Sequence, residues 1–406
     1  MLVIRLSARC STCRPQFAVE TFESKLAQAT SPAARDLLGA IGLVVDNKGQ
    51  TLYHHAAGYQ SLDDDSPPLD PDSTVALYSA GKLITHIAAL QFIDRGVIQL
   101  DEPISRYIPE IGSLPVITSG PDGEPFALRP PTKEITMHHL LLHTSGLSDD
   151  AVPVIAKYLA SDAPKPATKE DDDYTIKRFS LPLIFEPGEG FAYGASIHWL
   201  QLLVKRLSGN PRFGEHIYKN VFEPLGMSSS TYLPRDRADV WGRRLQMVSR
   251  EGSKLIPDDD ATQGLMCSVS DMGKLLSDLI SPSPKLLKPE SIELLFSGQL
   301  SGSALENLHA NHENYAFCAG KPGSLGPPAV NWSAAGLVVE EELPLSKLPR
   351  GTVIWDGMAK TIWAMNRDRG IAMFWAVQHL PYDDGKVDEL AMSFMNSIWA
   401  HYNEIE

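Results

Sequence analysis

The chain holds little cysteine, no long apolar run and few positive charges. Only four cysteines occur among 406 residues (Cys10, Cys13, Cys267 and Cys318), too few to staple a fold of this size, so disulfides are not expected. Cys10-Ser-Thr-Cys13 has the spacing of a redox or zinc pair. No second pair completes a zinc site and no βαβ pattern follows it. No stretch of eighteen apolar residues exists, which excludes a predicted membrane span. Lysine and arginine total 36 against 50 acidic residues, a net charge of −14. That balance argues against nucleic acid as a partner, where a basic stripe is expected. The apolar stretch at Met1–Cys10 is too short for a secretory signal, and a cytoplasmic address is expected.

What the chain does hold is 43% hydrophobic residues, enough for a sizeable core. Its most informative stretch is Leu77-Tyr-Ser-Ala-Gly-Lys-Leu-Ile-Thr-His86. Ser79 precedes Lys82 by three residues, the only Ser-x-x-Lys in the sequence. Leu83, Ile84, Ile87, Leu90 and Ile93 continue as an amphipathic helix that Gly96 ends. Residues three apart lie one above the other on a helix, so an amine is placed beside a hydroxyl. The unpaired N–H groups of a first turn add anion-stabilising donors. Nucleophile, base and donors for acyl transfer thus coincide in four residues. The plainer alternative is that Ser79 caps the helix and Lys82 is solvated.

Residues 1–15 read as a loose arm, and Phe17–Ala29 has helical spacing. Ile41–Val45 and Thr51–Ala57 read as strands joined by the turn Asp46-Asn-Lys-Gly49. Residues 112–132, rich in Pro and Gly, suggest a hairpin or excursion loop. Ile135–Leu147 reads as a helix stopped by Gly146. It carries His139 and His143 at a spacing that can bind zinc, but without a third ligand. A further helix ends at Gly209, and another is expected after Gly264 with Ser270 as its cap. Ala335–Val339, Gly351–Gly357, Thr361–Met365 and Ile371–Gln378 read as consecutive antiparallel strands, and Val387–Tyr402 as a closing helix.

Strands lie at both ends and helices between. The expected fold is α/β (α+β): a central antiparallel sheet flanked by helices, plus an all-helical part. Residues 16–75 and 262–406 would form the sheet domain and 76–261 the mostly helical one, with the site at their interface.

Together these motifs resemble the serine β-lactamase-like family of class C β-lactamases, penicillin-binding carboxypeptidases, esterases and acyltransferases. Ser79-Ala-Gly-Lys82 resembles the nucleophile motif and Leu140-Leu-Leu-His-Thr-Ser-Gly-Leu147 the segment after the helix. Tyr193-Gly-Ala195 is similar to the Tyr-x-Asn element. Gly351-Thr-Val-Ile-Trp-Asp-Gly-Met358 is similar to the strand that reads Lys-Thr-Gly or Trp-Gly-Gly. Within the family, the Tyr-Gly-Ala element and the 112–132 excursion resemble fungal polyketide-pathway acyltransferases and esterases. The resemblance implies a transpeptidase-like fold and no cofactor or metal. It implies Ser79 as nucleophile and Lys82 with Tyr193 as the proton-handling pair, Tyr193 being favoured as base. The oxyanion donors would be the backbone N–H groups of Ser79 and Met358.

Three departures bear on the substrate. Ala195 stands where the family has Asn, Trp355 where β-lactamases have Lys, and Asp356 follows it. Loss of a cation and gain of an anion disfavour a substrate carboxylate. They favour a neutral or cationic ester, thioester or lactone of a secondary metabolite. Trp355, Asp356, Gly357, Trp332, Trp363 and Tyr315 are the candidate substrate-binding residues. The expected partner is a small-molecule acyl substrate, with an acyl carrier or thioester as a conceivable donor. Hydrolysis and acyl transfer are not separable by sequence. Isomerisation, cyclisation or elimination on the same fold, and a non-catalytic scaffold, stay open.

Overall fold

The structure is a computed structural model, and it describes residues 18–120, 124–166, 168–311 and 329–403. Tyr315 and the Cys10/Cys13 pair lie outside the described residues.

A seven-stranded antiparallel sheet joins the two ends of the chain. Its strands are β1 (Gly39–Asp46), β2 (Thr51–Gly58), β3 (Val330–Trp332), β4 (Leu337–Val339), β5 (Val353–Asp356), β6 (Ile362–Asn366) and β7 (Ile371–Ala376), in the order β2-β1-β7-β6-β5-β4-β3. The β1–β2 turn forms where expected. Asp46 Oδ1 accepts from the N–H groups of Lys48 and Gln50 at 2.8 Å each, and Gly49 takes φ +82°. The short strand β3 has no counterpart among the strands read from sequence.

Strands β1, β6 and β7 are almost wholly buried because helices cover both faces. On one face lie α1 (Ala18–Ala29) and the long closing helix Gly385–Asn403, where Phe22, Trp375 and Phe394 meet ring to ring. Gly42 of β1 leaves room for Phe394, since a Cβ there would stand 2.6 Å from its ring. The next residue, Leu43, points the other way, against Gly273 of the helix Val269–Ile280. That helix is capped by Ser268, whose hydroxyl accepts from the Asp271 N–H, and not by the expected Ser270. Ser268 has the extended backbone of a cap, whereas Ser270 is already inside the first turn.

The helix α2 (Lys82–Asp94) differs from the amphipathic reading. Every residue from Leu83 to Phe92 is buried, so no face meets water. It is the central helix of the core, which is why Thr85, His86 and Gln91 are enclosed with the aliphatics. The segment expected as a helix over 135–147 forms only Met137–Leu141. Thr136 caps it, and His143 breaks it by adopting φ +56°. In the 112–132 excursion, Val116–Thr118 pairs antiparallel with Ala127–Arg129. Among the described residues no helix is long and apolar enough to cross a membrane.

Candidate active site

Ser79 lies in a short 3-10 turn, Tyr78–Gly81, that leads directly into α2. Its hydroxyl does not cap either helix. Instead Lys82 Nζ donates to Ser79 Oγ at 2.7 Å. The turn is fixed on three sides. Tyr78 takes a left-handed φ of +48°, and its hydroxyl donates to the Ala261 carbonyl. Leu77 N–H donates to the Leu265 carbonyl at 3.0 Å. Trp363 Nε1 donates to the Ala80 carbonyl at 3.0 Å from beneath.

That last bond corrects one sequence expectation. Trp363 is fully buried on β6 and supports the nucleophile turn, so it has no surface to offer a substrate. Its register partner is Trp355 on β5, one strand nearer the β3 edge of the sheet. Trp355 Nε1 donates to the Tyr193 hydroxyl oxygen at 3.0 Å, and the two ring centres are 4.9 Å apart. The side chain expected to touch substrate is thus bonded to the candidate base. Trp332 closes the group, 4.6 Å from Trp355 and 5.8 Å from Tyr193 between ring centres.

Tyr193 precedes the helix α3 (Ser196–Ser208), which packs on α2 and ends at Gly209 with φ +64°. Lys82 Nζ lies 4.8 Å from the centre of the Tyr193 ring. One ammonium therefore links the Ser79 hydroxyl and the Tyr193 ring. Lys82 is half-buried by surface area but enclosed by protein on most sides. That burial pulls its ammonium down to about 8, against the opposing attraction of the Asp356 carboxylate. A group titrating there can exchange a proton near neutral pH, which an ordinary lysine near 10.4 cannot.

Gly357 brings the end of β5 against the nucleophile turn. A Cβ on it would stand 2.2 Å from the Leu77 carbonyl oxygen and 2.7 Å from Thr361 Oγ1. Met358 follows and is 55% exposed. Among the described residues the Met358 N–H has no hydrogen-bond partner. Asp356 is buried and accepts from the Tyr382 hydroxyl at 2.6 Å. Tyr382 in turn lies under the buried Lys360, whose Nζ is 3.7 Å from the ring centre and 2.6 Å from Asp388 Oδ1. Tyr382 and Lys360 carried no signal in sequence, because their partners are distant in the chain.

The two histidines four apart separate. His139 Nδ1 accepts from the Thr136 N–H at 3.1 Å and belongs to the helix cap. His143 is fully buried against Tyr193, its ring centre 4.7 Å away. Among the described residues no group of three His, Cys, Asp or Glu could hold a metal ion.

Residues 27–393 match the family model described as Beta-lactamase. The chain belongs to the beta-lactamase family. Acyltransferase calJ of Penicillium decumbens is 31% identical over 379 residues, 88% of each chain. Lovastatin esterase of Penicillium rubens is 29% identical over 382 residues, 90% of this chain and 95% of its own. The solved structure of unliganded simvastatin synthase from Aspergillus terreus superposes with a TM-score of 0.84 at 27% identity, covering 95% of this chain and 99% of that one. This member of the beta-lactamase family is an enzyme of the serine esterase and acyltransferase kind. Its fold is the family's sheet-and-helix architecture.

Proposed function

We propose that the enzyme moves an acyl group through a covalent ester on Ser79. The observation that carries the reading is the 2.7 Å bond from Lys82 Nζ to Ser79 Oγ, made by an amine that burial has tuned to about 8. Ser79 Oγ attacks the acyl carbonyl carbon while its proton passes to the Lys82–Tyr193 pair. The two groups share that proton, so its loss belongs to the pair as a unit. The oxyanion forms between the N–H groups of Ser79 and Met358. Collapse expels the leaving group, which takes the proton back from the pair. Water or an alcohol then repeats the sequence on the acyl-enzyme and frees Ser79.

The substrate is a small-molecule ester, thioester or lactone of secondary metabolism, in keeping with relatives named methylbutanoyltransferases and lovastatin esterase. The Asp356 carboxylate, whose charge reaches Lys82, supports an uncharged or cationic group beside the scissile carbonyl. The reading further has the sheet domain (16–75 and 262–406) and the helical middle (76–261) meeting at the site. An acyl carrier as donor, and a cytoplasmic address, belong to the same reading.

Product partition tests it. With a neutral p-nitrophenyl ester as donor, a small alcohol should divert acyl groups from acid to new ester in proportion to its concentration. Absence of any turnover of neutral ester and thioester donors would overturn the reading.

Two further outcomes follow from the proton-handling pair. Activity requires the pair to lose one proton, so kcat/KM should fall about tenfold per pH unit on the acid side and level off above about 8. A flat kcat/KM from pH 6 to 9 would contradict this. Trp355→Phe keeps a ring but removes the N–H that bonds the Tyr193 oxygen. Such a bond contributes about 1 kcal/mol, so kcat/KM should drop about five- to tenfold. Steady-state kinetics on the same ester checks it.

A further inference from the structure

We infer that His143 is a positioning residue for Tyr193, acting on catalysis through the phenol without touching substrate. The inference rests on Tyr193 serving in acyl transfer as proposed above. Two contacts carry it, one on each side of Tyr193 in the chain. The His143 carbonyl accepts from the Ala192 N–H at 2.9 Å. Its ring Nδ1 accepts from the Gly194 N–H at 3.4 Å. Tyr193 is thereby clasped through both of its peptide neighbours by one residue.

The ring itself supplies the third contact. Its centre is 4.7 Å from the Tyr193 ring, and Trp332 and Phe191 stand edge-on to it at 5.6 and 6.3 Å. His86, one turn beyond Lys82 on α2, lies 6.3 Å from it and is fixed by donating from Nδ1 to the Ala334 carbonyl at 2.7 Å. The phenol ring is therefore packed against Lys82, His143 and Trp332 together.

The backbone adds a separate argument. His143 takes φ +56°, which a non-glycine residue seldom adopts. Such conformations persist where the surroundings over-determine them and cluster at functional sites. Here the left-handed turn is what carries the chain from the short helix to Tyr193's neighbours. Burial first, and then the neighbouring His86 and Lys82, hold His143 well below the ordinary histidine value. The ring stays neutral, so Nδ1 keeps its lone pair for the Gly194 N–H.

Asparagine and glycine both accept the left-handed backbone. Asparagine can also place an oxygen where Nδ1 lies, and glycine places nothing. The test compares His143→Gly with His143→Asn on a p-nitrophenyl ester, with folding checked by circular dichroism. His143→Gly is expected to lose about 10- to 100-fold in kcat with KM changed little, because a displaced proton-transfer group slows chemistry rather than binding. His143→Asn should recover most of that loss, to within about threefold of the parent. An unchanged kcat in folded His143→Gly would overturn the inference, as would a His143→Asn variant as slow as the glycine one. Tyr193→Phe measured alongside separates the two levels. If it loses activity while His143→Gly does not, only the positioning role fails. If it retains full activity, the role proposed for Tyr193 fails as well.

Discussion

Replacing Ser79 with alanine is expected to lower kcat by about 10⁴-fold or more, the scale seen when an activated serine nucleophile is removed. The expectation follows from what the hydroxyl does in the structure. It caps neither the 3-10 turn nor α2, and its partner is Lys82 Nζ at 2.7 Å. Loss of a helix cap would cost about 1 kcal/mol of stability, and no such loss is expected here. The variant should therefore melt within a few degrees of the parent while losing its chemistry. Removing the oxygen leaves the amine with no proton to accept and the acyl group with no acceptor. Initial rates on a neutral ester, together with a thermal melt, separate the two contributions. A variant that loses stability but keeps its rate would mean that Ser79 is structural.

Gly357→Ala carries the second large effect, and the reason is steric. The new Cβ would stand 2.2 Å from the Leu77 carbonyl oxygen, a separation at which backbone must move. Neither side can give freely. Leu77 N–H is bonded to the Leu265 carbonyl at 3.0 Å, and Gly357 N–H to the Thr361 carbonyl at 2.8 Å. Thr361 Oγ1 also donates to the Leu77 carbonyl, at 3.3 Å. The end of β5 and the nucleophile turn must then separate, and the Met358 N–H moves away from the forming oxyanion. Loss of one oxyanion donor costs roughly 10²–10³ in kcat. The same gap should lower the melting temperature. The rate loss should exceed any change in KM, because the donor acts on charge that exists only in the transition state. If kcat for Gly357→Ala stays within about threefold of the parent, the Met358 N–H is not the donor.

Much of this site was legible because its parts are local or patterned. Ser79 and Lys82 are three residues apart, so helix geometry alone brings them together. Strands β1, β2, β6 and β7 could be read from apolar runs bounded by Asn, Asp and Gly turns. Tyr193 was legible only through the likeness of its Tyr-Gly-Ala element to a family motif, since its distance from Ser79 in the chain gives no geometric hint.

What sequence did not yield depends on long-range packing. Trp355 and Trp363 look alike as strand tryptophans and are register partners on neighbouring strands. One bonds the Tyr193 hydroxyl and the other the Ala80 carbonyl, a division set by their positions along the sheet. The burial of α2 on every face could not be told from an amphipathic helix, because the polar Thr85, His86 and Gln91 are enclosed by tertiary partners that the sequence does not place. His143 read as half of a metal pair or as helix interior. Its left-handed backbone, which ends the helix and turns the ring toward Tyr193, has no marker in a histidine. Trp332 read as a possible pocket wall and packs as part of the same aromatic group.

The most direct test of the account is the covalent one. Incubation with a fluorophosphonate followed by intact-mass and peptide analysis should add one phosphonyl group, on the peptide that contains Ser79. Labelling should vanish in Ser79→Ala and slow in Lys82→Met, which keeps the side chain's length without its amine. An adduct on a different residue, or steady ester turnover by an enzyme that never takes up the label, would contradict it.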